Sequence, residues 1–214
     1  MIYIKIIKLP NVGIDTHTYL YHIINNYETL APITIFCHGS APADNNKCPM
    51  LEYVTEQVLK TDDTVMIGST YDQPVRDELY NFCIDWYDTT NKVNFSKIGK
   101  CTVVPHNLRP FGVWYDSMFS KEAPVNTACL CTQFAISAAD IRSRPKHYYE
   151  ELMKYVDSAP SMEFCHFMER AWVAVIRPLP ACVHNWTYDN KIETYSRSRR
   201  FVIKSFVPGK LTFC

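Results

Sequence analysis

The sequence predicts an α/β fold: a central mixed sheet flanked by helices, in a single domain spanning residues 1–214. Three observations carry that expectation. Short apolar runs of strand length alternate with stretches whose apolar residues recur at helical spacing. No Gly/Ser-rich linker, low-complexity run or internal repeat divides the 214 residues. With 47% hydrophobic and 14% aromatic residues, the chain can fill one substantial core.

Taken in order, residues 1–7 (MIYIKII) read as a strand. Asp15 is placed to cap a helix, with Leu20, Ile23, Ile24 and Tyr27 forming an i, i+3, i+4, i+7 stripe. Pro32 interrupts the chain before a buried strand over 33–37. Pro49 opens a second helix running to about Lys60, and 65–67 and 101–104 read as strands. Residues 79–87 read as helical, 105–127 as an irregular aromatic-rich segment, and 128–136 as a buried strand. Ser137, with Asp140 three residues on, predicts an N-cap. Pro145 suits the first turn of a helix carrying Tyr148, Tyr149, Leu152, Met153 and Val156. Ser161 caps a last helix whose core stripe is Phe164, Phe167, Met168, Ala171, Trp172 and Val175, and C-terminal strands follow.

This order sets two polar loops, 11–15 and 38–44, side by side at one end of the sheet, where open α/β sheets bind small ligands.

Composition excludes several classes. Twenty-two basic and 22 acidic residues cancel, which argues against nucleic acid as a partner. Arg197, Arg199, Arg200, Lys204 and Lys210 form a local basic cluster. It is either a solvated strand and tail or a pocket wall facing a diphosphate. Nine cysteines without a CxxC pair fit neither a disulfide framework nor a zinc ribbon. The N-terminus lacks the features of a signal peptide and no run reaches membrane-span length, so a cytoplasmic protein with no membrane span is expected. Asn94 and Asn185 match the glycosylation sequon, which means little without an export signal. The abrupt end at Cys214 suggests the N-terminal part of a longer polypeptide.

Among groups able to do chemistry, Glu169 lies roughly 130° from the centre of its helix stripe, at about 100° per residue. It is thus either solvated or lines a cleft beside Trp172, where a carboxylate could act as a general base. His17 and His22 are five apart and do not share a helix face well. His38, at the end of a strand, and His184, after the last helix, are either structural or touch a metal or substrate. A hard divalent ion calls for paired carboxylates on one loop. Asp44 competes with Asp72, Asp77, Glu78, Asp85 and Asp88 for that role. Gly39-Ser40 lacks the flanking glycines of a nucleophile elbow.

Three segments, in this order, carry a family resemblance. Asn11-Val-Gly13 opens a helix followed by the strand ITIFCHGS. TQFAISAADIRSRPKHYYEELMKYV (132–156) comes next, and FMERAW (167–172) last. Together they resemble nucleotide-sugar glycosyltransferases with the GT-A, Rossmann-like fold, including transferase domains of large viral multidomain proteins. A viral origin would make the location the host cytoplasm.

The resemblance implies a donor nucleotide bordered by Asn11, Gly13 and Asp15, and a metal loop at His38, Gly39 and Ser40 with Asp44 nearby. It implies a donor sugar approached by Cys131, Thr132 and Gln133, Glu169 as catalytic base, and His184 as a C-terminal metal ligand. The implied donor is a UDP-sugar carrying a hexose or deoxyhexose, the cofactor Mn2+ or Mg2+, and the acceptor a glycan or glycoprotein. The departures are that His38-Gly39-Ser40 replaces the acidic metal motif and that Cys131-Thr132 replaces a small Gly-Ala pair. The first nucleotide-binding strand is also shortened, to residues 1–7. A retaining transferase, a non-catalytic carbohydrate- or nucleotide-binding module, and a metal-dependent hydrolase built on His38 and His184 are the rival readings.

Overall fold

The computed structural model describes residues 4–44, 47–70, 79–84, 104–119, 127–128, 132–158, 162–176 and 183–185. Its elements are α1 (Ile14–Asn26), β1 (Ile33–Phe36), α2 (Lys47–Thr61), β2 (Val65–Thr70), α3 (Phe111–Met118), β3 (Thr127–Ala128), β4 (Phe134–Ser137), α4 (Ala138–Arg142), α5 (Lys146–Met153), α6 (Glu163–Ile176) and β5 (Val183–Asn185).

The sheet is mixed. β4 pairs antiparallel with β1 on one side and β2 on the other, β3 pairs antiparallel with the end of β2, and β5 runs parallel to β2. Helices cover both faces, as the alternation along each strand records. Phe134 and Ile136 of β4 and Met66 of β2 join the larger cluster, with residues of α1, α3, α5 and α6. Ala135, Val65 and Ile67 join the smaller one, with Met50, Tyr53 and Val54 of α2. The expected α/β class with helices on a mixed sheet is therefore what forms.

The centre of the larger cluster is α6. Phe164, Phe167, Met168, Ala171, Trp172 and Val175 are all buried, the stripe read from the sequence. Ser137 caps α4 as expected, its side chain accepting from the Asp140 N–H, and Pro145 immediately precedes α5.

Several expectations need correction. Residues 4–7 form no strand, and Ile4 and Ile6 are exposed, because no strand among the described residues takes up their alternation; 1–3 lie outside the described residues. Gly13, not Asp15, occupies the N-cap of α1; Asp15 lies in the first turn, and no side chain caps the helix. Within the expected irregular stretch, 111–118 coil into α3, whose Phe111, Trp114 and Tyr115 are buried against the core. The expected strand 128–136 is broken: β3 ends at Ala128, β4 begins at Phe134, and Thr132 between them has φ +47°. A single left-handed residue cannot sit in a regular ladder. Of the expected strand 101–104, Val104 makes an isolated parallel bridge to Met162, and 101–103 lie outside the described residues. In 79–87, Leu79 and Tyr80 are helical, Phe82 and Cys83 are not, and 85–87 lie outside the description. Ser161 and the strands expected after residue 185 also lie outside it.

Gly13 is needed where it stands. Its φ is +58°, and an added Cβ would lie 2.5 Å from the Val156 carbonyl oxygen. That oxygen is backbone and cannot swing aside. Gly13→Ala is expected to destabilise the fold by at least about 1–2 kcal/mol from the left-handed backbone alone, measurable by urea unfolding.

Candidate functional site

The pairing of β1 with β4 builds the site. Phe36 opposes Phe134 in the last pair of the ladder, and just beyond it the two strand ends carry His38 and Thr132, whose side chains meet at 3.0 Å. The sheet face at Phe36 and Phe134 is the one covered by α1. Tyr19 of α1 packs on both Phe36 and Phe134, with ring centroids 4.8 and 5.7 Å away. Its hydroxyl donates to the Thr132 carbonyl oxygen at 2.9 Å. Asp15 lies four residues before Tyr19, one helical turn towards the N-terminus on the same side. The aromatic row Tyr19–Phe36–Phe134 is thus continued by a polar row, Asp15–His38–Thr132.

The polar groups of that row lie close together. His38 Nδ1 is 2.9 Å from Asp15 Oδ2, and His38 Nε2 is 3.0 Å from Thr132 Oγ1. Thr132 Oγ1 also lies 3.5 Å from Asp15 Oδ2. The Thr132 hydroxyl, 3.0 Å from Nε2 and 3.5 Å from the Asp15 carboxylate, has a single proton to donate. The His38 and Asp15 side chains are 24% and 30% exposed, whereas Thr132 is only 5% exposed. The arrangement is a half-open notch with the hydroxyl at its floor.

Backbone strain gathers at the same place. Among the described residues four have positive φ: Gly13, Ile14, Asp62 and Thr132. Three of those four flank the notch. Ile14 (φ +44°) and Thr132 are β-branched, the residue type least tolerant of that region. Strain of this kind persists only where the surroundings over-determine it, and it concentrates at functional sites.

Two thiols border the notch. Burial, and then the Asp15 charge, raise the Cys37 thiol above its ordinary range. Burial pushes Cys165 up to about 12; its Sγ donates to the Gly13 carbonyl oxygen at 3.3 Å. Both environments favour the protonated thiol over a reactive thiolate.

The other expected site residues fall as follows. Asn11 is exposed just before Gly13. Gly39 and Ser40 are exposed at the rim, with open space around Gly39. Gln133 does not reach the notch: it is fully buried, its Nε2 donates to the Lys47 carbonyl oxygen at 3.2 Å, and its Oε1 has no partner. Glu169 is half-buried, off the core stripe as its helical angle required, with Oε2 3.6 Å from Arg170 Nη1. Its position follows from its neighbours. Cys165, one turn earlier, touches Gly13, and Trp172, three residues later, packs on Tyr19 and Phe134. Glu169 therefore sits on the flank of α6 nearest the start of α1.

His184 lies in β5 opposite Ile67. Cys131, the acids Asp72, Asp77, Glu78, Asp85 and Asp88, and the basic cluster at 197–210 lie outside the described residues. His17 is buried beside Tyr21, and His22 is half-buried edge-on to Phe36, so they serve packing on separate sides of α1.

The donor set fits Mn2+ or Mg2+ poorly. Asp44 Oδ1 accepts from the Lys47 N–H at the start of α2, and both ring nitrogens of His38 are engaged. Among the described residues no three His, Cys, Asp or Glu side chains gather where they could hold a metal ion. A hard divalent ion wants about six oxygen ligands in near-octahedral array, which these side chains do not form.

Sequence reasoning passed over Glu163. It is fully buried at the start of α6 and accepts from the backbone N–H groups of Ile84 at 2.8 Å and His106 at 2.7 Å. It also pairs with Arg109, whose Nε lies 3.0 Å from Oε2. An acid in a helix's first turn reads as an ordinary dipole partner; only the convergence of residues 84, 106 and 109 distinguishes it.

No helix among the described residues is long and apolar enough to cross a membrane. No curated protein and no solved structure matches the chain. A family model does match, over residues 5–187, a span that runs from before α1 to just past β5 and holds the whole notch. The chain belongs to the family described as Protein of unknown function (DUF3431).

Proposed function

We propose that the chain is a GT-A-like glycosyltransferase that moves a hexose or deoxyhexose from a nucleotide sugar, a UDP-sugar by preference, to a glycan hydroxyl. One observation carries the reading. Three segments far apart in sequence, assigned separately to the nucleotide, the metal loop and the donor sugar, meet through Asp15, His38 and Thr132 within 3.5 Å. The α–β–α layering and the site's position at the β1 end of the sheet agree with a Rossmann-like donor cleft. The first turn of α1, which no side chain caps, offers backbone N–H groups to a diphosphate. Glu169, beside the start of α1, is the group assigned to deprotonate the acceptor hydroxyl, giving inversion.

A thermal-shift panel of nucleoside diphosphates and their sugars, each with and without Mn2+, tests this. A UDP-sugar at 100 times its dissociation constant should stabilise the fold by about 2.7 kcal/mol. Saturable binding without donor turnover would favour a non-catalytic module, and a product of retained configuration would remove Glu169 from its role. No stabilisation by any nucleotide would refute the reading. Chelation by EDTA tests the ion: activity that survives it would leave the chain's own residues to carry the leaving group.

A further inference from the structure

We propose that the groove between α1 and α5 binds a linear aliphatic diamine, with one ammonium at each end and the carbon chain between them. The two helices run antiparallel. Tyr27, just past α1, packs on Tyr149 of α5 with ring centroids 6.4 Å apart, while His17, near the start of α1, lies beside Asp157, just past α5. The groove measures about 390 Å³, the size of an ordinary small-molecule site. Into it α1 presents His17, Tyr21 and Ile24, the i, i+4, i+7 positions of one helix face. Glu150 and Met153 of α5, and then Asp157, face them. Asp15, His38 and Thr132 do not line it, so this is a second site, separate from the notch.

Charge selects a cation. Glu150 and Asp157 line the groove and, among the described residues, no Lys or Arg does. Lys146 reaches Glu150 only as a loose pair at 3.8 Å, with both side chains nearly half exposed, and a pair of that kind contributes little. Spacing selects two cations. The two acids are seven residues apart, about 10 Å along a helix axis, too far for one ammonium or one metal ion to serve both. Between them the half-buried Ile24 and Met153 offer an apolar floor suited to methylene groups. His17 marks the end nearer Asp157. Its side chain is 6% exposed, its Nε2 stands 3.9 Å from Asp157 Oδ1, and its Nδ1 has no hydrogen-bond partner. Nε2 is near enough to the carboxylate to share a ligand's ammonium with it, yet too far to bond it directly. Tyr21 stacks along that ring at 6.4 Å, adding an aromatic wall that attracts a cation.

Isothermal titration calorimetry at low salt, where exposed charges are least screened, tests this with cadaverine, with n-pentylamine as its singly charged counterpart, and with Mg2+. Cadaverine should bind saturably at one site, about two- to fivefold tighter than n-pentylamine, the worth of one further exposed ion pair. Glu150→Gln and Asp157→Asn should each weaken cadaverine by a similar factor, about two- to fivefold, and the double variant should bind the two amines alike. Both acids are exposed, so all three variants should melt at the wild-type temperature. No saturable cadaverine binding, equal binding of the two amines by the wild type, or undiminished cadaverine affinity in the double variant would overturn the proposal. So would displacement of cadaverine by an equal concentration of Mg2+, the mark of a diffuse acidic patch.

Discussion

Glu163→Ala is expected to lower the free energy of unfolding by about 3–5 kcal/mol, the usual cost of removing one partner of a buried ion pair. The distribution of that loss can be argued. Arg109 is 28% exposed, so water reaches its side chain when Glu163 is gone. The amide of Ile84 is buried from water, and that of His106 is partly buried. Each orphaned amide costs about 1–3 kcal/mol, so the backbone bonds account for most of the effect. Arg109→Ala should accordingly cost well under half as much as Glu163→Ala, and urea unfolding of the two single variants and the double variant measures the split. Equal losses in both single variants would show that the ion pair, not the amide clamp, dominates.

Glu169→Gln is expected to reduce transfer by about 100- to 10,000-fold, the range for removing a general base, with donor affinity unchanged. The amide keeps the size of the side chain and a hydrogen-bonding capacity beside Arg170, but it cannot take a proton. Glu169 is half-buried and lies outside the core stripe, so the variant should melt within a degree or two of the wild type. Measuring kcat and KM individually separates the outcomes: a lost kcat with an unchanged KM supports the base, and a raised KM alone assigns Glu169 to binding. Undiminished transfer would remove it from the mechanism.

The fold was legible where a local pattern decides it. The α6 stripe, the Ser137 cap and the apolar runs at 33–36 and 65–67 are written in adjacent residues. What was not legible depends on pairing. Nothing local to ITIF or FAIS says that the two strands run antiparallel with Phe36 opposite Phe134, yet that pairing brings together the strand ends that carry His38 and Thr132. Asp15, His38 and Thr132 could be named one by one as residues of a ligand end, but not as one polar cluster. Residues 105–127 read as irregular because Pro105 and Pro110 interrupt the pattern and aromatic residues then dominate it. The helical α3 starts only after Pro110, where Phe111, Trp114 and Tyr115 fall on one face. Glu163 was hidden for a similar reason, since its partners are backbone amides from segments more than 50 residues away.

The transferase reading stands on the notch formed by Asp15, His38 and Thr132, and the imidazole of His38 reports on it directly. With histidine 15N-labelled, the His38 ring nitrogens can be followed by NMR while a UDP-sugar is titrated in. A donor seated in the notch displaces or repolarises the Thr132 hydroxyl at Nε2, so the His38 Nε2 resonance should move saturably with the donor. The resonances of His147, on the exposed side of α5, should stay fixed. Saturating donor that leaves His38 unmoved, or no donor binding at all, would contradict the account.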